Sequence, residues 1–114
     1  MKKLFIAVAL AFSFGSCTTT NSLYSWYDYE GITYQYSKRQ TEELKDKVLV
    51  QYQKLIKGQK ATRGVVPPGM YAEYGYLLYK TGKKEEGIEF LKQEMELYPE
   101  SEKYISRIVK QLEK

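Results

Sequence analysis

The chain holds one cysteine, no histidine and fourteen carboxylate side chains, and these bound its chemistry. A Ser–His or Cys–His nucleophile pair needs an imidazole that this sequence lacks. A zinc site draws on several cysteines or histidines, and Cys17 alone does not make such a set. Glu42/Glu43 and Glu85/Glu86 are paired carboxylates, but adjacent residues diverge on a helix. Gly69, Gly75, Gly82 and Gly87 are too widely spaced to cradle a phosphate. The expectation is a protein that is not an enzyme and needs no cofactor and no metal. Cys17 remains as the one residue with a specific chemical prospect.

Cys17 ends the stretch FSFGSC. Lys2 and Lys3 open the chain, an apolar run covers Leu4 to Phe14, and the small residues Gly15 and Ser16 precede the cysteine. A positive start, a short apolar core and a small-residue cut site describe a secretory signal peptide. The apolar run is well short of the roughly 20 residues that a spanning helix needs. The stretch resembles a bacterial lipobox, in which the cysteine is lipidated and becomes the first residue of the mature protein; Phe14 stands where a leucine is usual. Residues 1–16 are therefore expected to be a lipoprotein signal peptide, Cys17 the lipid attachment site, and residues 17–23 a polar tether. A thioether to lipid also removes the liability of a free thiol in an exported protein. The tether carries no acidic run of the kind associated with export to the cell surface, so the periplasmic face of the outer membrane is expected.

The elements that must present a function lie in residues 24–114, enough for one small domain with one modest core. Without Lys2 and Lys3 the chain has sixteen basic and fourteen acidic side chains, interspersed as in KKEEG and ESEK. So mild and mixed a charge argues against a nucleic-acid partner. Tyrosine is the odd abundance, with twelve copies beside Trp26. Such rings fill helix–helix seams with the hydroxyl reaching water, or line a binding surface.

Helical periodicity dominates. Residues 24–37 favour a helix, though Tyr34-Gln35-Tyr36 alternates like a strand. In residues 41–57, Leu44, Val48, Tyr52 and Leu55 mark one face, Thr41 is a candidate N-cap and Gly58 closes the element. The segment 58–66 is a break, and Pro67-Pro68 leads into a helix over 70–80 that Gly82 ends. A further helix spans 83–98, with Ile88, Leu91, Met95 and Tyr98 aligned, and Pro99 breaks it. The last spans 100–113, with Tyr104, Ile105, Ile108 and Leu112 facing in. The expected fold is all-α, with about five helices and short connections.

Residues 68–101, PGMYAEYGYLLYKTGKKEEGIEFLKQEMELYPES, are 34 long and resemble one tetratricopeptide repeat, a helix–turn–helix unit. Tyr71, Tyr74-Gly75, Leu78, Gly87, Leu91 and Pro99 fall on the motif's positions. Gly75 and Gly87 have no side chain, so two helices can approach closely there. Glu94 stands where alanine is usual, which implies looser stacking at that point. One repeat cannot bury its own faces, so residues 24–57 and the last helix are expected to cover it.

Three stretches together, FSFGSC, SLYSWYDYE and VVPPGMYAEYGYLLYKTGK, resemble a family of small bacterial lipoproteins, domain-of-unknown-function family 4810. Members are typically encoded beside a lipoprotein resembling the curli-secretion pore protein CsgG and a second small lipoprotein. The resemblance implies an accessory subunit of an envelope lipoprotein assembly, with a CsgG-like partner and no assigned activity. Tetratricopeptide-like domains take peptides on the face formed by the first helix of each repeat. Mapped on this sequence, that face carries Ala72, Tyr76, Tyr79 and Lys80, a set that suits a binding hot spot. The same residues could instead pack against residues 24–57. From a different class, Trp26 and its tyrosine neighbours would suit stacking on the sugar rings of peptidoglycan or another glycan.

Overall fold

Thr41 opens the longest helix. Its hydroxyl accepts a hydrogen bond from the Leu44 N–H at 3.2 Å, and Glu42 and Glu43 occupy the positive first turn. Thr41→Ala is expected to cost about 1 kcal/mol, read as a lower urea midpoint with an unchanged m-value. In the computed structural model, which describes residues 22–114, this helix runs Glu42–Lys57. The expected signal peptide, Cys17 and the expected tether as far as residue 21 lie outside the described residues.

Five α-helices are present among the described residues, with no strand: α1 Tyr29–Lys38, α2 Glu42–Lys57, α3 Met70–Lys80, α4 Lys84–Leu97 and α5 Glu102–Leu112. A single 3-10 turn, Pro99–Ser101, joins the last two. The helices stack in chain order, each antiparallel to the one before. Residues 22–28, the 58–69 loop and the α4–α5 connection therefore gather at one end. The α1–α2 and α3–α4 turns and the C-terminus of α5 share the other.

Two local expectations change. The helix sought over 24–37 begins only at Tyr29, because Tyr27 adopts a left-handed φ of 50°. That conformation costs a non-glycine residue roughly 1–2 kcal/mol. It is held by the Tyr27 hydroxyl, which donates to the Gly58 carbonyl at the end of α2. In α5 the inward stripe is Ile105 and Val109, while Tyr104 is 69% exposed. Residue 104 lies on the opposite shoulder of the helix from 109, so only one of the two can point in.

Tyrosines do more than trim the seams. Tyr52 and Tyr74 are core residues, buried with Val48, Leu55, Val66, Met70 and Leu78 between α2 and α3. Their rings lie 5.9 Å apart, and Phe90 packs edge-on against Tyr74 at 4.7 Å. A second cluster of Leu91, Ile105 and Val109 joins α4 to α5.

The tightest seam is α3 against α4. A Cβ placed on Gly75 would lie 2.5 Å from the Gly87 carbonyl oxygen, and one placed on Gly87 would strike the Gly75 carbonyl in return. The approach read from the two glycines is thus backbone on backbone. Near the other end of the same seam, Glu94 does not loosen the stacking. It is only 2% exposed, and its carboxylate faces the backbone N–H groups of Gly69 and Ala72 at the start of α3. Helix α3 has no side-chain cap of its own, so a carboxylate from α4 sits at its positive end.

Candidate functional site

Helices α3 and α5 lie side by side on α4 without closing over it. Between them runs a groove of about 480 Å³. Its floor is Leu91 and Ile105, both core residues, and Ala72 completes the floor from α3. Its walls are Tyr76 and Glu73 on α3, and Tyr104 and Ile108 on α5. A larger hollow of about 570 Å³ lies at the α1–α2 turn. It is walled by long exposed side chains such as Lys38 and Arg39, with no core residue beneath. The smaller groove is the better formed because packing fixes its floor.

The sequence-derived residues separate in space. Ala72 and Tyr76 line the groove. Tyr76 is 41% exposed, and the Lys80 ammonium sits 4.7 Å from its ring centroid, so Lys80 braces Tyr76 rather than lining the groove. Tyr79 turns toward α4 and α5: its hydroxyl donates to the Leu112 carbonyl at 2.6 Å, clasping the end of α5. Trp26 lies far from Tyr76 in sequence and lines no part of the groove; it stands half-exposed between Tyr24 and Tyr29, with ring centroids at 6.0 and 5.6 Å. Cys17 is outside the described residues.

Glu73 and Tyr104 are groove residues that sequence reasoning missed. Glu73 lies three residues before Tyr76 and seven before Lys80, on the same helical stripe, and that spacing was the available signal. Its carboxylate Oε2 accepts from the Tyr29 hydroxyl at 2.7 Å and from the Tyr52 hydroxyl at 3.4 Å. Burial, reinforced by Glu73, raises the pKa of both phenols well above the ordinary tyrosine value. Both therefore remain donors at any physiological pH, and they hold the Glu73 carboxylate at the edge of the groove.

Among the described residues no group of three or more His, Cys, Asp or Glu side chains is placed to hold a metal ion. The groove offers an apolar floor, two phenolic walls and one oriented carboxylate. Such a surface recognises a side chain or peptide by shape and by one charged contact.

The family model for the domain of unknown function DUF4810 matches residues 23–108, from the segment before α1 to the α5 wall of the groove. The chain belongs to the DUF4810 family. The DUF4810 unit thus includes every groove residue named above. No curated protein and no solved structure matches the chain.

Proposed function

We propose that this DUF4810 protein is an outer-membrane lipoprotein, anchored through Cys17 and facing the periplasm, that serves as a non-catalytic adaptor in an envelope assembly. Its proposed partner is a CsgG-like lipoprotein. The observation that carries the reading is the α3–α5 groove, with a floor fixed by core packing and exposed tyrosines on both walls. If α3 and α4 form a tetratricopeptide-like repeat, α3 and α5 are the first helices of successive units. The groove is then the face on which such domains take peptides. A lipobox cysteine supports the anchor. Mature bacterial lipoproteins carry two or three acyl chains, and more than one chain is what stable anchoring takes. No helix among the described residues is long and apolar enough to cross a membrane.

The test is mild crosslinking in intact cells, then affinity capture of the tagged protein and mass spectrometry. Wild type is expected to recover a CsgG-like lipoprotein. Tyr76→Ala should lower that recovery at least tenfold while leaving the helical circular-dichroism signal intact, since Tyr76 is a wall residue outside both core clusters. Cys17→Ala should abolish it by misplacing the protein. Capture of peptidoglycan-linked material alone, lost in Trp26→Ala, would replace the adaptor reading with a structural, glycan-binding one.

A further inference from the structure

The N-terminal segment is tied to one end of the domain. The Ser22 and Leu23 carbonyls accept from the Thr62 and Arg63 N–H groups at 3.3 and 3.1 Å. Ser25 N–H donates to Gln59 Oε1 at 2.9 Å, Gln59 Nε2 donates back to the Ser25 carbonyl at 2.9 Å, and Lys60 N–H donates to Ser25 Oγ at 3.0 Å. Segment 22–27 is therefore a strap laid along the 58–63 loop. Cys17 lies five residues ahead of Ser22. Even fully extended, five residues span at most about 18 Å. A lipid on Cys17 thus cannot lie farther than that from the strapped end, whereas the opposite end is one length of α2 away, about 24 Å for a helix of this size.

The strapped end has the chemistry of a membrane interface. Leu23 is 55% exposed, Trp26 and Val65 are each 40% exposed, and Leu97 is 39% exposed. Val65 and Leu97 share one hollow with Lys57. Lys57, Lys60 and Arg63 are exposed at this end, and none forms an ion pair among the described residues, where the only two pairs are Lys45–Glu42 and Lys47–Glu43. The same end also carries acids, Asp28 and Glu30 at the start of α1 and Glu100 and Glu102 on the α5 flank, so its cations gather at the end of α2 and along the 58–63 loop. The far end carries Lys38, Arg39, Lys83 and Lys84 beside Glu42, Glu43, Glu85 and Glu86, and the short tether keeps it from the lipid.

We propose that the strapped end, through Leu23, Trp26, Val65, Lys57, Lys60 and Arg63, rests on an anionic phospholipid surface. Apolar and indole side chains enter the headgroup layer while the cations meet lipid phosphates. The lipid anchor then sets orientation as well as location. This placement rests on the Cys17 anchor.

Trp26 is the only tryptophan and reports on its own surroundings. The lipoprotein, purified from membranes, is reconstituted into vesicles of phosphatidylethanolamine and phosphatidylglycerol, with or without bromine on the acyl chains. The expected result is flotation with the vesicles in high salt, a blue-shifted Trp26 emission, and quenching by the brominated lipid. The triple variant Lys57→Glu/Lys60→Glu/Arg63→Glu should still float but lose the shift and the quenching. Lys83→Glu/Lys84→Glu, at the far end, should behave as wild type. Protein that floats with Trp26 unquenched overturns the placement and leaves the anchor standing. Protein that is stripped from the vesicles by high salt overturns the anchor, and the placement with it. Loss of quenching in the far-end variant as well would show a nonspecific charge effect and also overturn the placement.

Discussion

Gly87→Ala is expected to destabilise the domain by about 3 kcal/mol, although the residue lies inside a helix. In an exposed helix the same change stabilises by about 1 kcal/mol, because alanine loses less backbone entropy. Here the new methyl would meet the Gly75 carbonyl, and would come within 2.8 Å of the Tyr79 backbone nitrogen and 3.0 Å of its Cβ. Two of these three neighbours are backbone atoms, so no rotamer change relieves the contact and α3 and α4 must separate. Overpacking of this kind typically costs 1–3 kcal/mol, and more where backbones must move. The separation would also open the seam that holds Leu91 and Glu94. For a domain of this size, a loss of about 3 kcal/mol lowers Tm by roughly 12–24 °C. Gly75→Ala should behave alike, whereas Gly64→Ala, with nothing near its Cβ position but a φ of 63°, should cost only about 1 kcal/mol. A thermal melt of Gly87→Ala that matched or exceeded wild type would mean the two helices are not in backbone contact.

The second large effect concerns Glu94. Replacing it with alanine removes the acceptor at the start of α3 and leaves a hole in the seam, at an expected cost of about 2–4 kcal/mol. Glu94→Gln is the more informative change, because it keeps the volume and one acceptor while removing the charge. Burial raises the Glu94 pKa above the ordinary carboxyl value; the N–H groups of Gly69 and Ala72 pull it down, and Glu100 and Glu73 add to the rise. Oε2 has no hydrogen-bond partner. The folded state therefore holds the proton more tightly than the unfolded chain does. For an acid with a raised folded pKa, the stabilising contribution is complete below the unfolded value, about 4.3 for glutamate, and is lost as pH rises through the folded value. Wild type should gain on Glu94→Gln as the buffer is acidified from about pH 8 to about pH 4, and the variant should melt higher at neutral pH. A Tm difference that stays constant over that range would show that the folded and unfolded states bind the Glu94 proton equally, so that its folded pKa is not raised. The partnerless oxygen and the capping contact would make Glu94 a polar key that fixes how α4 seats on α3, at some cost in stability.

Most of the helical layout was legible. Thr41, Gly58, Gly82 and Pro99 mark boundaries because caps and breakers act through neighbouring backbone groups. The 3.6-residue stripes picked out Val48, Tyr52, Leu55 and Leu91, because a helix in a small domain must turn its apolar side to the core. The paired glycines announced a close helix contact for the same kind of local reason: no other residue leaves the backbone bare.

Contacts between distant residues were settled only by the tertiary structure. Tyr27 takes a left-handed conformation because Gly58, thirty-one residues away, receives its hydroxyl. Glu94 is buried rather than disruptive because the unsatisfied start of α3 lies opposite it, a pairing that no local pattern encodes. Tyr79 shares a sequence stripe with Tyr76, yet it clasps Leu112 while Tyr76 walls the groove, since the position of α5 decides which side of α3 stays open. Glu73 joins the groove through Tyr29 and Tyr52, which come from two other helices. Composition and periodicity are properties of a segment and can be read along the chain. The groove is a property of three helices at once, and its residues acquire their roles only when those helices meet.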